Sequence, residues 1–218
     1  MCWNESVSLN TFLFSSFVLL LIIYNNSFTK YKIEILNNKW MCLFFASFIF
    51  MQLIEFFIWR NIDNKFYNNL FSIFSAILLI IQPIASVMLV TNIKLRNLLL
   101  VSYLLMAIPV SIYEFSTKHF HSVVSEGGHL KWKFFQPTPI IWVVFWVVWL
   151  FFFLFSFIYE KKWFGLIFAL VTLIIVYINY KRDQTFLSMW CWIVNSIMIY
   201  GAFYLLIFLP FLEKMDIC

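Results

Sequence analysis

Charge is scarce in this chain: of its 218 residues only 11% are Asp, Glu, Lys or Arg, against about a quarter in soluble domains. Glycine (4) and proline (5) are few, and no Ser/Gly-rich or low-complexity stretch interrupts the sequence. An appended soluble domain on a flexible linker is therefore not expected. Cysteine is limited to Cys2, Cys42, Cys191 and Cys218, with no CxxC pair and no Cys/His finger spacing, which leaves a structural zinc finger without support. The net charge is +5, yet Lys30, Lys32, Lys39, Lys94, Arg96, Lys161, Lys162, Lys181 and Arg182 stand singly or in pairs at the ends of apolar stretches and form no basic face. That placement excludes nucleic acid as a partner and suits the headgroups of a lipid bilayer. No positive segment precedes the first apolar run, and Asn25-Asn26-Ser27 is a poor cleavage site, so the run reads as a retained helix and not as a signal peptide.

What the chain has in quantity is apolar and aromatic side chains, 64% and 22% of its residues. They fall into seven blocks, at 7–24, 40–59, 70–90, 98–113, 139–159, 163–180 and 187–208. At about 1.5 Å of rise per residue such blocks match the hydrocarbon thickness of a bilayer. Backbone groups in lipid must be bonded within their own segment, so continuous apolar runs imply helices. Trp40, Trp59, Trp163, Tyr24, Tyr159 and Tyr180 stand at block ends, where an aromatic belt meets the interface. The expected fold is all-α: a single integral membrane domain of seven transmembrane helices. Lys and Arg divide eight to seven between the two sides. That bias, with the absence of basic residues before Lys30, places the N-terminus outside and the C-terminus inside.

Polar side chains within spans are expensive in lipid and are expected to face the bundle interior. In the third block Ser72, Ser75, Gln82 and Ser86 are separated by 3, 7 and 4 residues, which at about 100° per residue lines them up on one stripe. Gln52 and Glu55 lie three apart in the second block; Gly165, Thr172 and Asn179 recur every seven in the sixth; Ser188, Trp192 and Asn195 share a face of the seventh. The rise of a helix puts Glu55 about 6 Å and Gln52 about 10 Å from the outer end of their block, Asn195 about 12 Å and Gln82 about 18 Å from theirs. Glu114, beyond the kink expected at Pro109, adds a carboxylate on the same side. The expected site is an outward-facing polar pocket of Glu55, Gln52, Gln82, Asn195, Trp192 and Glu114, binding a small cation or a polar solute. Interhelical hydrogen bonding that merely joins helices is the plainer account of the Ser, Thr and Asn residues.

Trp142, Trp146 and Trp149 form an aromatic face that could wall a ligand site or simply pack. The long connection 114–138 contains His119, His121 and His129, with Glu126 and Gly127-Gly128 between them, which would supply three metal ligands and a base if folded together. Cys2 and Cys191 fall toward the same side and are a candidate disulfide, with free thiols as the alternative. Three function classes follow: a transporter- or channel-like protein with Glu55 as its charge, a seven-helix receptor or sensor using the same pocket without transport, and a membrane hydrolase with a metal in the long loop. No cofactor is implied.

A retinal protein needs a lysine in its last helix, and 187–208 has none; Thr91-Asn92-Ile93 stands where G-protein-coupled receptors carry their acidic-Arg-aromatic motif. Gln82-Pro83 and Gln136-Pro137 reverse the dipeptide of PQ-loop transporters. The opening Met1-Cys2-Trp3-Asn4-Glu5-Ser6-Val7-Ser8, with Met51-Gln52-Leu53-Ile54-Glu55-Phe56 and Gln82-Pro83, resembles an uncharacterised multi-pass membrane family of protists and large DNA viruses. The resemblance extends over most of the chain and implies a membrane bundle, with no chemistry assigned to its motifs.

Overall fold

The computed structural model describes residues 4–30, 32–33, 36–117, 119–135 and 140–211, with the backbone alone at 135 and 140–144. Its long helices are α1 (Glu5–Phe28), α2 (Lys39–Arg60), α3 (Lys65–Val87), α4 (Ile93–Thr117), α5 (Ile140–Tyr159) and α6 (Trp163–Tyr180). The last apolar run, Phe186–Phe211, is divided into α7 (Phe186–Val194), α8 (Ile197–Phe203) and a π-helical stretch at Tyr204–Phe208. Counting that run as one, six helices are long and apolar enough to cross a membrane. In α5, the described apolar portion Phe145–Tyr159 falls short of that length.

Several helices begin ahead of the apolar blocks because asparagines cap them. Asn4, Asn38 and Asn64 accept hydrogen bonds from the first-turn amides of α1, α2 and α3. These caps satisfy donors that would otherwise be orphaned at the helix ends.

Helix α2 is the centre of the bundle, packing on α1, α3 and α7, while α3 also meets α4 and α5, and α6 lies against α5 and α7. An aromatic core fills this junction: Phe44, Phe48, Phe153, Phe157 and Trp190 meet at centroid distances of 5.1 to 6.5 Å. Leu20, Leu105, Ile167 and Ile178 point outward from the backs of their helices and leave an apolar exterior, which lipid can cover and water cannot. The chain is thus a multi-pass membrane protein by its helices and by its surface.

Pro83 shows how α3 and α5 are joined. Lacking an N–H, it leaves the carbonyl of Leu79 without its helical donor, and the Trp149 indole donates to that oxygen at 3.0 Å. One turn on, Ser86 Oγ donates to the Phe153 carbonyl at 2.6 Å and pairs with Ser156 Oγ at 2.7 Å.

The connection after α4 is folded. Strands β1 (Ser122–Val124) and β2 (Leu130–Trp132) pair antiparallel, turning at Gly127 and Gly128, the latter with φ 78°. Asn68, in the first turn of α3, clamps the hairpin as a strand would: its Oδ1 accepts from Ser122 N at 2.8 Å and its Nδ2 donates to Ser122 O at 2.9 Å. The hairpin lies on one face of the bundle with the starts of α3 and α7. On the other face the α3–α4 and α5–α6 turns are tied, Thr91 N and Oγ1 both donating to Glu160 Oε1 at 2.7 and 2.9 Å.

Candidate functional site between α2 and the broken α7

Two pairings fix how α2 meets α7. Ser188 Oγ donates to Glu55 Oε1 at 2.6 Å, and seven residues along each helix in opposite directions Asn195 Nδ2 donates to the Phe48 carbonyl at 3.2 Å. Phe48, Gln52 and Glu55 share one face of α2, and Ser188, Cys191 and Asn195 share one face of α7, so Gln52 stands opposite Cys191. Gln52 Nε2 donates to Glu55 Oε2 at 2.9 Å. The carboxyl group therefore accepts one hydrogen bond on each oxygen, and Glu55 is 3% exposed and Gln52 0%. No Lys or Arg pairs with Glu55 among the described residues.

The helix breaks beside this group because Asn195 competes with its own backbone. Its Nδ2 also donates to the Cys191 carbonyl at 2.8 Å, the oxygen that the Asn195 amide would take in a regular helix. That amide turns to Trp192 O at 3.0 Å, and the amides of Ser196, Met198 and Ile199 likewise bond carbonyls three residues back. The last apolar run, expected at 187–208, is thus present with a tightened turn at Asn195–Ser196 that separates α7 from α8. The signal in the sequence was the polar Asn-Ser pair within an apolar run.

Four buried amide atoms on three side chains have no partner. They are Gln52 Oε1 and Asn195 Oδ1 in the α2–α7 seam, and both amide atoms of Gln82 on α3. Gln82 is fully buried, on the stripe between Leu79 and Ser86 that faces α5, and no hydrogen bond joins it to Glu55, Gln52 or Asn195. Thr172 of α6 accepts from the Trp190 indole at 3.1 Å and is likewise engaged elsewhere.

The remaining expected site residues are distributed otherwise. Trp192 donates to Thr11 Oγ1 of α1 at 3.0 Å, and no hydrogen bond joins it to Glu55 or Gln52. Glu114 is buried beneath the hairpin, lining a small cavity of about 40 Å³ with Ala76, Phe120 and Phe134. Glu55 and Asn195 are buried where an opening toward water was expected. Trp149 packs on Phe153 and Trp190 and closes the core, while the side chain of Trp142 lies outside the described residues. Gly165 allows α6 to approach Phe157, and Asn179 is exposed and bonds its own helix at Ile175 O.

The histidines do not converge. His119 and His121 are exposed, whereas His129 is buried edge-on against Tyr180 at 5.0 Å, at the far end of the hairpin. Glu126 is exposed at the hairpin turn. Among the described residues no three His, Cys, Asp or Glu side chains gather to hold a metal. Burial lowers the His129 pKa from its ordinary value, and the nearby Asp183 carboxylate partly opposes the shift. Asp183 also lies close against Gly127, where a side chain would not fit. Cys191 is a buried free thiol, and Cys2 lies outside the described residues.

The larger openings lie away from the polar seam. A cavity of about 260 Å³ on the face opposite the hairpin is lined by Lys32, Phe45, Met198 and Tyr204, and an apolar groove of about 410 Å³ runs between Trp146, Leu173 and Trp190. No family model, curated protein or solved structure matches the chain.

Proposed function

We propose that the protein is a seven-span carrier for a small cation or a polar solute, with Glu55 as its binding charge and Gln52 and Asn195 as the dipoles that orient the cargo. The observation that carries the reading is a carboxyl group enclosed within the bundle beside a discontinuous helix. A buried carboxylate with no basic partner is costly unless a positive guest balances it, and intramembrane carboxylates mark ion and proton pathways. Discontinuous helices near mid-bundle are where secondary transporters hold substrates and coupling ions. The enclosure of Glu55 favours an occluded carrier over an open channel.

Reconstituted protein is expected to show cation- or proton-coupled flux that Glu55→Gln reduces at least tenfold, with folding intact by circular dichroism. Unchanged flux in that variant would remove Glu55 from the mechanism.

A further inference from the structure

We propose that Glu55, Gln52 and Asn195 form a dehydrated site for one monovalent alkali cation, sodium being the probe; the inference rests on the carrier reading for its role in transport but not for its existence. The orphaned atoms of the seam are both oxygens. Amide orientations are assignments made from hydrogen bonding, and here the bonds settle them. An ionised Glu55, the form that a bound cation requires, can only accept, so Gln52 presents its nitrogen to it at 2.9 Å. Asn195 must present its nitrogen to two backbone carbonyls, at 3.2 and 2.8 Å. Gln52 Oε1 and Asn195 Oδ1 are then the two atoms left over, both buried and without a donor.

Two unmet acceptors along the seam that holds the carboxyl group call for an electropositive guest, and an all-oxygen set suits a hard cation. Charge selects the valence. One carboxylate balances one positive charge, whereas a divalent ion would leave a net charge buried in the bundle without compensation. Calcium sites normally gather several carboxylates, which this seam lacks. The Cys191 thiol between them is a soft group and adds nothing to binding sodium.

The broken helix contributes the third element of the argument. Were α7 continuous, the Asn195 amide would cap Cys191 O and the side chain would be free to point its nitrogen elsewhere; the break locks the side chain and leaves Oδ1 as the unmet, buried acceptor. Ser188 and Gln52 hold the carboxyl group by one donor each, so its geometry is set before an ion arrives.

The test is thermal unfolding of the purified full chain in detergent, in sodium, potassium or choline chloride at constant ionic strength. Expected is a saturable rise of several degrees in Tm with sodium over choline, because a ligand bound only by the folded state stabilises by mass action. Glu55→Gln should abolish the rise while unfolding no lower than wild type in choline, since the substitution removes an unbalanced carboxylate and keeps its shape. Should that variant fail to fold, Glu55→Asp keeps the charge but withdraws it by one methylene, and should shift the sodium response at least tenfold to higher concentration. Equal Tm for wild type in all three salts overturns the site. A Glu55-dependent flux without alkali-metal dependence overturns the site and leaves the carrier standing, whereas a sodium-dependent shift without flux upholds the site and removes the carrier.

Discussion

Gln82 is the residue whose chemistry and position disagree most. It is fully buried between Leu79 and Ser86, each of which is bonded to α5, yet both of its own amide atoms lack partners. Leaving a buried polar group unmet costs about 1–3 kcal/mol, and methionine fills nearly the same volume with no polar requirement. Gln82→Met is therefore expected to stabilise the bundle by about 1 kcal/mol, read as a higher Tm in detergent with flux unchanged. A lower Tm would mean that a buried water meets the amide and is lost with it. That Gln82 would face inward was legible from its spacing with Ser72, Ser75 and Ser86, because helical periodicity fixes a face. Periodicity does not say which neighbour the face meets. Gln82 stands on the stripe whose Leu79 and Ser86 bond α5, Trp192 bonds α1, and of the expected site residues Glu55, Gln52 and Asn195 lie in the α2–α7 seam.

At the scale of elements, the sequence spoke most clearly where apolar runs were long. Helices α2 and α6 start and stop within one residue of the blocks at 40–59 and 163–180. Helices α1 and α4 run past their apolar blocks at both ends, and α3 starts ahead of its block at Lys65 but stops at Val87, inside it, since caps and turns decide helix ends. The hairpin was obscured because its strands are three residues each, too short for alternation to register, and because its anchor lies in another element. Asn68 supplies that anchor, with a third bond from Nδ2 to Ile62 O at 2.8 Å, and Ser72 Oγ adds a contact to Ser122 Oγ at 2.9 Å. Asn68→Ala would strip Ser122 of a donor and an acceptor partner together, at about 2–3 kcal/mol. Faster amide exchange at 122–132, with exchange in α2 unchanged, is the expected readout. Equal acceleration in both regions would show that the hairpin is part of the bundle's cooperative unit and not a separately docked piece.

For the molecule as a whole, the two faces are distinguished by structure more firmly than by charge. The hairpin shares a face with the starts of α3 and α7, and the turns joined by Thr91 and Glu160 lie on the other. Among the described residues Lys and Arg divide seven to six between those faces, too even a split for the positive-inside rule to decide orientation strongly. The start of the chain, with Glu5 and no basic residue before Lys30, tips the expectation toward an outward hairpin. Single-cysteine labelling tests this, in a background with Cys2 and Cys218 changed to Ser; Cys191 is buried and Cys42 half-buried against Leu36 O. A membrane-impermeant maleimide applied to intact cells is expected to label Glu126→Cys, and to reach Lys94→Cys and Lys161→Cys only after permeabilisation. The reverse pattern would turn the bundle over and place the Glu55 seam nearer the inner surface. Labelling of Glu126→Cys and Lys161→Cys from one side would mean that α5 does not cross, leaving six spans. That outcome would also invert α7 relative to α2, and the opposed pairings of Ser188 with Glu55 and of Asn195 with Phe48 require the two helices to run antiparallel; the even count would bring both ends of the chain to one face, and the proposed site would fall together with the seven-span arrangement.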